Sequence, residues 1–82
     1  MLKFFKVKDT GLVSVTRVSE DGEKERLAII GQVDELLRRE IIFPDNTGEN
    51  MDKWLMIDKA QAITEYPSKE AAKEAAREVY GE

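Results

Sequence analysis

An α+β fold, a mainly antiparallel sheet of about five strands with two helices in the order ββ(β)α-ββα, is what this sequence predicts, and three features predict it. Residues 69–80 repeat with helical period. Short runs of β-branched and aromatic residues alternate with turn signals on both sides of the chain's middle. The chain is 82 residues long, enough to close one core, so residues 1–82 read as a single domain.

Leu2 to Lys8 and Leu12 to Val18 read as strands of a first hairpin. Asp9-Thr10-Gly11 between them fits a three-residue loop with Gly11 in the left-handed position. Alternation then groups Phe5 and Val7 with Val13 and Val15, and turns Phe4, Lys6, Lys8, Ser14 and Thr16 to the other face. Glu20-Asp21-Gly22 is the next turn.

Residues 23–42 admit two readings. One long helix keeps Leu27, Ile30, Leu37 and Ile41 at rough helical spacing but places Gly31 inside it, at a cost near ~1 kcal/mol. The preferred reading returns Glu25 to Ile30 as a third strand, breaks it at Gly31, and forms a helix over Gln32 to Ile41 that buries Val33, Leu36, Leu37 and Ile41. Pro44 bars helix at Phe43, and Arg38-Arg39 complement the dipole at the helix end. Residues 45–52 form a polar loop.

Trp54 to Ile57 and Ala62 to Tyr66 make a second hairpin around Asp58-Lys59. Pro67 then stops the strand, Ser68 caps a helix, and Gly81 suits its left-handed C-terminal position. The stripe Ala71, Ala72, Ala75, Ala76, Val79 and Tyr80 forms the helix's buried face, expected to cover Leu55, Ile57 and Ile63. Trp54 and Met56 then face the other way, as Leu2 and Phe4 oppose Phe5 and Val7. Either the middle helix covers them or they form an interface.

The composition narrows the chemistry. The absence of Cys and His excludes a disulfide framework, a Cys/His metal site and thiol or imidazole catalysis. Asp45, Glu49 and Asp52 are oxygen ligands on one loop, but their spacing fails the EF-hand pattern, so no metal or other cofactor is expected. Acidic neighbours such as Asp34-Glu35 lack the apolar setting that raises a catalytic pKa, and no phosphate-cradling glycine loop exists, so no enzyme and no small-molecule substrate are expected. With 41% hydrophobic and 37% charged residues, and neither a secretory h-region nor a spanning apolar run, the chain reads as a folded cytoplasmic protein without a membrane partner.

The functional expectation is a small non-catalytic interaction module, a regulator, inhibitor or accessory subunit that self-associates as a homodimer. Its surface is the apolar and aromatic face of Leu2, Phe4, Trp54 and Met56, rimmed by Lys6, Lys8 and Arg17. The alternative is nucleic-acid binding. The net charge is −4, yet residues 1–18 carry Lys3, Lys6, Lys8 and Arg17 against Asp9 alone, beside Phe4 and Phe5, a combination suited to phosphates and bases.

Overall fold

The computed structural model describes residues 1–42 and 53–81. They form an antiparallel sheet of five strands in chain order: β1 (Leu2–Lys6), β2 (Val13–Val18), β3 (Lys24–Gln32), β4 (Trp54–Asp58) and β5 (Ile63–Tyr66). Helix α1 (Val33–Arg38) follows β3, and α2 (Lys69–Tyr80) follows β5. The α+β architecture and the element order agree with the sequence. Asp45, Glu49, Asp52 and the stop at Pro44 lie outside the described residues.

Turn chemistry closes each hairpin. Between β1 and β2 the Val7 amide donates to the Leu12 carbonyl at 3.0 Å, and the Thr10 hydroxyl donates to the Val7 carbonyl at 2.9 Å. Asp9, with φ 61°, takes the left-handed position expected of Gly11. Gly22 does so in the next turn, with φ 89°. The Ser19 hydroxyl there binds the Asp21 carboxylate and holds its pKa below the ordinary aspartate value, aided by the Glu23 amide. Between β4 and β5, Asp58 Oδ1 accepts from the Ala60 and Ala62 amides at 2.9 and 3.0 Å.

Gly31 does not break β3. It pairs with Leu55 inside the sheet, and the strand runs on to Gln32. A Cβ on Gly31 would lie 2.4 Å from Leu12 Cδ2 and 3.3 Å from Leu36, so this glycine lets two leucines rest on the strand. The helix expected over 32–41 is therefore only six residues long. Glu40, at φ 59°, ends it in a Schellman arrangement, with the Ile41 amide on the Leu36 carbonyl at 2.9 Å and the Glu40 amide on the Leu37 carbonyl at 3.0 Å.

Helix α2 forms where the periodicity placed it, with Ser68 Oγ accepting from the Ala71 amide at 3.1 Å. Two details at its end differ. Val79 is exposed rather than buried, and Gly81 is extended, with φ −64°. Glycine is still required there, because a Cβ would meet the Arg77 carbonyl oxygen at 1.9 Å.

The larger correction concerns the faces of the sheet. Phe4 pairs with Val15 and Phe5 with Ser14, so Phe4, Val13 and Val15 share one face while Phe5, Ser14 and Thr16 share the other. Helix α2 lies on the first face. Its Ala72 and Ala76 pack with Val15, Ala28, Ile30 and Met56, and Leu2, Phe4, Trp54, Tyr66 and Tyr80 close around them. Leu55 and Ile57 lie instead under α1, with Leu12, Val33, Leu36 and Ile42, while Ile63 stays exposed. Shape explains the exchange. The methyl-sized face of α2 accommodates Trp54, Phe4 and Met56, whereas the bulky Leu36 of α1 needs the gap above Gly31. Full burial of Val15, Ile30, Val33 and Leu36 stabilises the fold by roughly 1.5–3 kcal/mol each.

Candidate functional site

Helix length decides what the sheet leaves open. At ~1.5 Å per residue, the twelve residues of α2 reach about 18 Å, close to the span of five strands set ~4.8 Å apart. The six residues of α1 reach about 9 Å and cover half of their face. The other half consists of β1, β2 and the start of β3. Among the described residues, no helix lies over it.

A β-bulge determines which side chains stand there. Val15 pairs with Ala28 but Thr16 pairs with Arg26, so Leu27 is an extra residue in β3. Without it, Arg26 would share a face with Ala28 and Ile30 under α2. With it, Lys24 and Arg26 turn to the open face and join Lys3, Phe5, Ser14 and Thr16. Leu27 itself is buried in the α2 core.

The result is a shallow depression of about 480 Å³ lined by Phe5, Lys6, Val7, Ser14, Thr16, Lys24 and Arg26. Among the described residues, no carboxylate lines it. Its polar floor is organised. Ser14 and Thr16 are 5% exposed, and their hydroxyls lie 2.9 Å apart. Arg26 Nε donates to Ser14 Oγ at 3.0 Å, which tethers the guanidinium to the floor of the depression. Lys24 Nζ stands 4.9 Å from the centre of the Phe5 ring, which is 36% exposed. An exposed cation–π contact contributes ~0.5–1 kcal/mol, so a base stacking for ~1–3 kcal/mol can take its place and release the ammonium to a phosphate.

A second groove lies on the other side of β1, along the flank of α2. Phe4 and Trp54 are half-buried there, and Lys6, Lys69 and Lys73 rim a depression of about 450 Å³ that, among the described residues, has no acidic lining residue. Lys69, Lys73 and Arg77 follow one another at four-residue spacing along the helix. Lys69 Nζ sits 5.9 Å from the Trp54 ring centre, while Lys73 Nζ and Arg77 Cζ sit 5.5 and 5.1 Å from that of Phe4.

The structure thus brings Phe4, Trp54 and Lys6 together and scatters the other expected site residues. Met56, 6% exposed, is core under α2, and Leu2, Phe4 and Trp54 pack partly buried against that core, so the four do not form one open apolar face. Lys8 is exposed in the loop beyond β1. Arg17 is held on the α2 face, where its Nη2 donates to the Tyr80 carbonyl at 3.1 Å. Lys3 stands on the open face with Phe5. Sequence reasoning missed Lys24 and Arg26, whose placement depends on the bulge, and did not count Ser14 and Thr16, whose face opposite Val13 and Val15 it had read correctly, as site residues. It also missed Lys69 and Lys73, whose four-residue spacing was visible.

Electrostatically, the described residues carry no acidic excess. All thirteen Lys and Arg residues lie among the described residues, whereas Asp45, Glu49, Asp52 and Glu82 do not, so the described part is formally neutral. Glu35 and Glu25 are held in ion pairs. Glu35 binds Arg39 at 2.8 Å and Arg38 at 3.2 Å, and the Arg39 hydrogen bond leads in holding its pKa below the ordinary glutamate value. Glu25 is paired with Lys59, first by hydrogen bond and then by charge, with the same consequence. Among the described residues, no three Asp or Glu side chains cluster as a metal site, and no helix is long and apolar enough to cross a membrane.

Comparison with protein-family models, with curated proteins and with solved structures gives no match.

Proposed function

We propose that this chain is a non-catalytic binding module that takes single-stranded nucleic acid on the open half of its sheet. The observation that carries the reading is the bulge at Leu27, which places Lys24 and Arg26 beside Lys3 and the exposed Phe5 ring on a sheet face that no described helix covers. A sheet face that offers a ring for a base and cations for the flanking phosphates suits an unpaired strand, whose bases are free to stack. It does not suit a buried protein interface, because truly apolar surface is scarce there.

Titration of a fluorescein-labelled oligothymidylate, followed by anisotropy, tests this. Three phosphate contacts, from Lys3, Lys24 and Arg26, give a salt slope near −2, so affinity falls about twentyfold between roughly 50 and 200 mM salt. Lys24→Glu with Arg26→Glu abolishes binding without changing the melting temperature by more than a few degrees. A flat titration of the native protein at the lower salt overturns the proposal.

A protein partner or second copy remains the rival within the same class of function, and one feature favours it. Among the described residues, strand β5 is an edge strand of four exposed or half-exposed residues with no Lys or Pro inside it, a template for strand addition. Light scattering that shows a dimer abolished by Glu65→Pro, whose amide faces away from β4, supports that reading. A monomer across the concentration range rejects self-association.

A further inference from the structure

The two grooves are not independent, because Lys6 lines both. It sits at the end of β1, the free edge strand, between Phe5 on one face and Phe4 on the other. From this continuity we propose that a longer strand continues from the open face around the β1 edge at Lys6 and into the groove between α2 and Trp54. The inference rests on the nucleic-acid reading above, and it assigns the Phe4, Trp54, Lys69 and Lys73 groove as an extension site for the same occupant.

Three observations support this path. The lining is of one sign throughout: Lys24 and Arg26 on the open face, Lys6 at the edge, then Lys69 and Lys73 along the helix flank, with no carboxylate among the described lining residues of either depression. The rings recur with it. Phe5, Phe4 and Trp54 each have a cation within 4.9–5.9 Å of the ring centre, so every stacking position has a phosphate partner beside it. The edge itself is passable, since β1 has a hydrogen-bonded neighbour on one side alone, and its outer side carries no other described strand. A nucleic-acid chain turns such a corner more readily than a peptide, because its charges lie on a flexible backbone and need no regular hydrogen-bond register.

The path predicts a length threshold. An oligothymidylate of about four nucleotides occupies the open face alone, and one of about twelve spans both grooves, near the two ends of the range for single-strand-binding folds. Trp54 is the chain's single tryptophan, so its intrinsic fluorescence reports the second groove directly. Quenching is expected with the longer strand and absent with the shorter. Lys69→Glu with Lys73→Glu should lower the salt slope by about 1.4 for the longer strand and leave the shorter strand's binding unchanged. Arg26→Glu should weaken both.

If the longer strand binds but neither quenches Trp54 nor responds to the α2 substitutions, the extension is wrong and the open-face reading stands. If the shorter strand quenches Trp54 and ignores Arg26→Glu, the extension is again wrong, because the helix groove is then the primary site. If neither strand binds, the nucleic-acid reading fails, and the extension with it.

Discussion

The two faces of one sheet make the instructive comparison. The face under α2 is built from Val15, Ile30, Met56 and the methyl groups of Ala72 and Ala76, and a twelve-residue helix spans it from β5 to the end that holds Arg17. The opposite face has a six-residue helix, a glycine that lets it dock, and a remainder of hydroxyls, cations and one phenylalanine ring. The same five strands therefore serve as core on one side and as part core, part surface on the other. The difference comes from helix length and from one extra residue in β3.

The sharpest way to break this comparison is to remove one large side chain from each face. Ile30→Ala empties a fully buried site under α2 and should cost ~2–5 kcal/mol in urea unfolding. Phe5→Ala should cost under about 1 kcal/mol, as expected of a surface side chain, while oligonucleotide affinity falls by roughly tenfold. Equal stability losses would mean that the open face is core after all. Next in size is Gly31→Val. Its Cβ would clash with Leu12 and push Leu36 off the sheet, for a loss of ~1–3 kcal/mol and a shift of the Leu12 and Leu36 methyl resonances.

Smaller effects separate the helices themselves. Ser68→Ala removes the α2 cap and should cost ~1 kcal/mol by thermal melting, leaving the α1 face unaltered in its methyl spectrum. Acidification should loosen the α1 side through Glu35. Glu35 bridges to Arg38 and Arg39, and Arg39 Nη2 in turn donates to the Asp9 carbonyl at 2.9 Å, which ties α1 to the first hairpin loop. Its folded pKa lies below the ordinary value, so its stabilising contribution is complete above the unfolded pKa and is lost as pH falls through the folded one. Hydrogen exchange near residues 9–11 should therefore quicken, relative to α2, as the buffer passes below the ordinary glutamate range, and Glu35→Gln should remove that pH dependence.

Much of the architecture was legible from local signals. The α2 helix, its Ser68 cap, the turn at Gly22 and the second hairpin all follow from residues close in sequence and form where expected, although Val79 at the end of the α2 stripe is exposed. The errors share another cause. Which face Phe4 shares with β2 depends on cross-strand register, and the loop over residues 7–12 sets that register with Asp9 rather than Gly11 in the left-handed position. The bulge is hidden in the apolar run Leu27-Ala28-Ile29-Ile30, where alternation carries no information. Gly31 resembles a strand breaker until Leu12 and Leu36, both distant from it in the hairpin or helix, claim the space above it. Of the candidate site, Lys3 and Phe5 were visible as a basic and aromatic hairpin. Lys24 and Arg26 were not, since one inserted residue decides their face.

The most direct test of the central claim is a residue-resolved NMR titration of the native protein with a short oligothymidylate at low salt. The account predicts that amide and side-chain shifts concentrate at Lys3, Phe5, Ser14, Thr16, Lys24 and Arg26, with the Arg26 Nε resonance moving most, while β5 and the outer face of α2 stay still. Saturable shifts centred on β5, or none at all at those six residues, would contradict it.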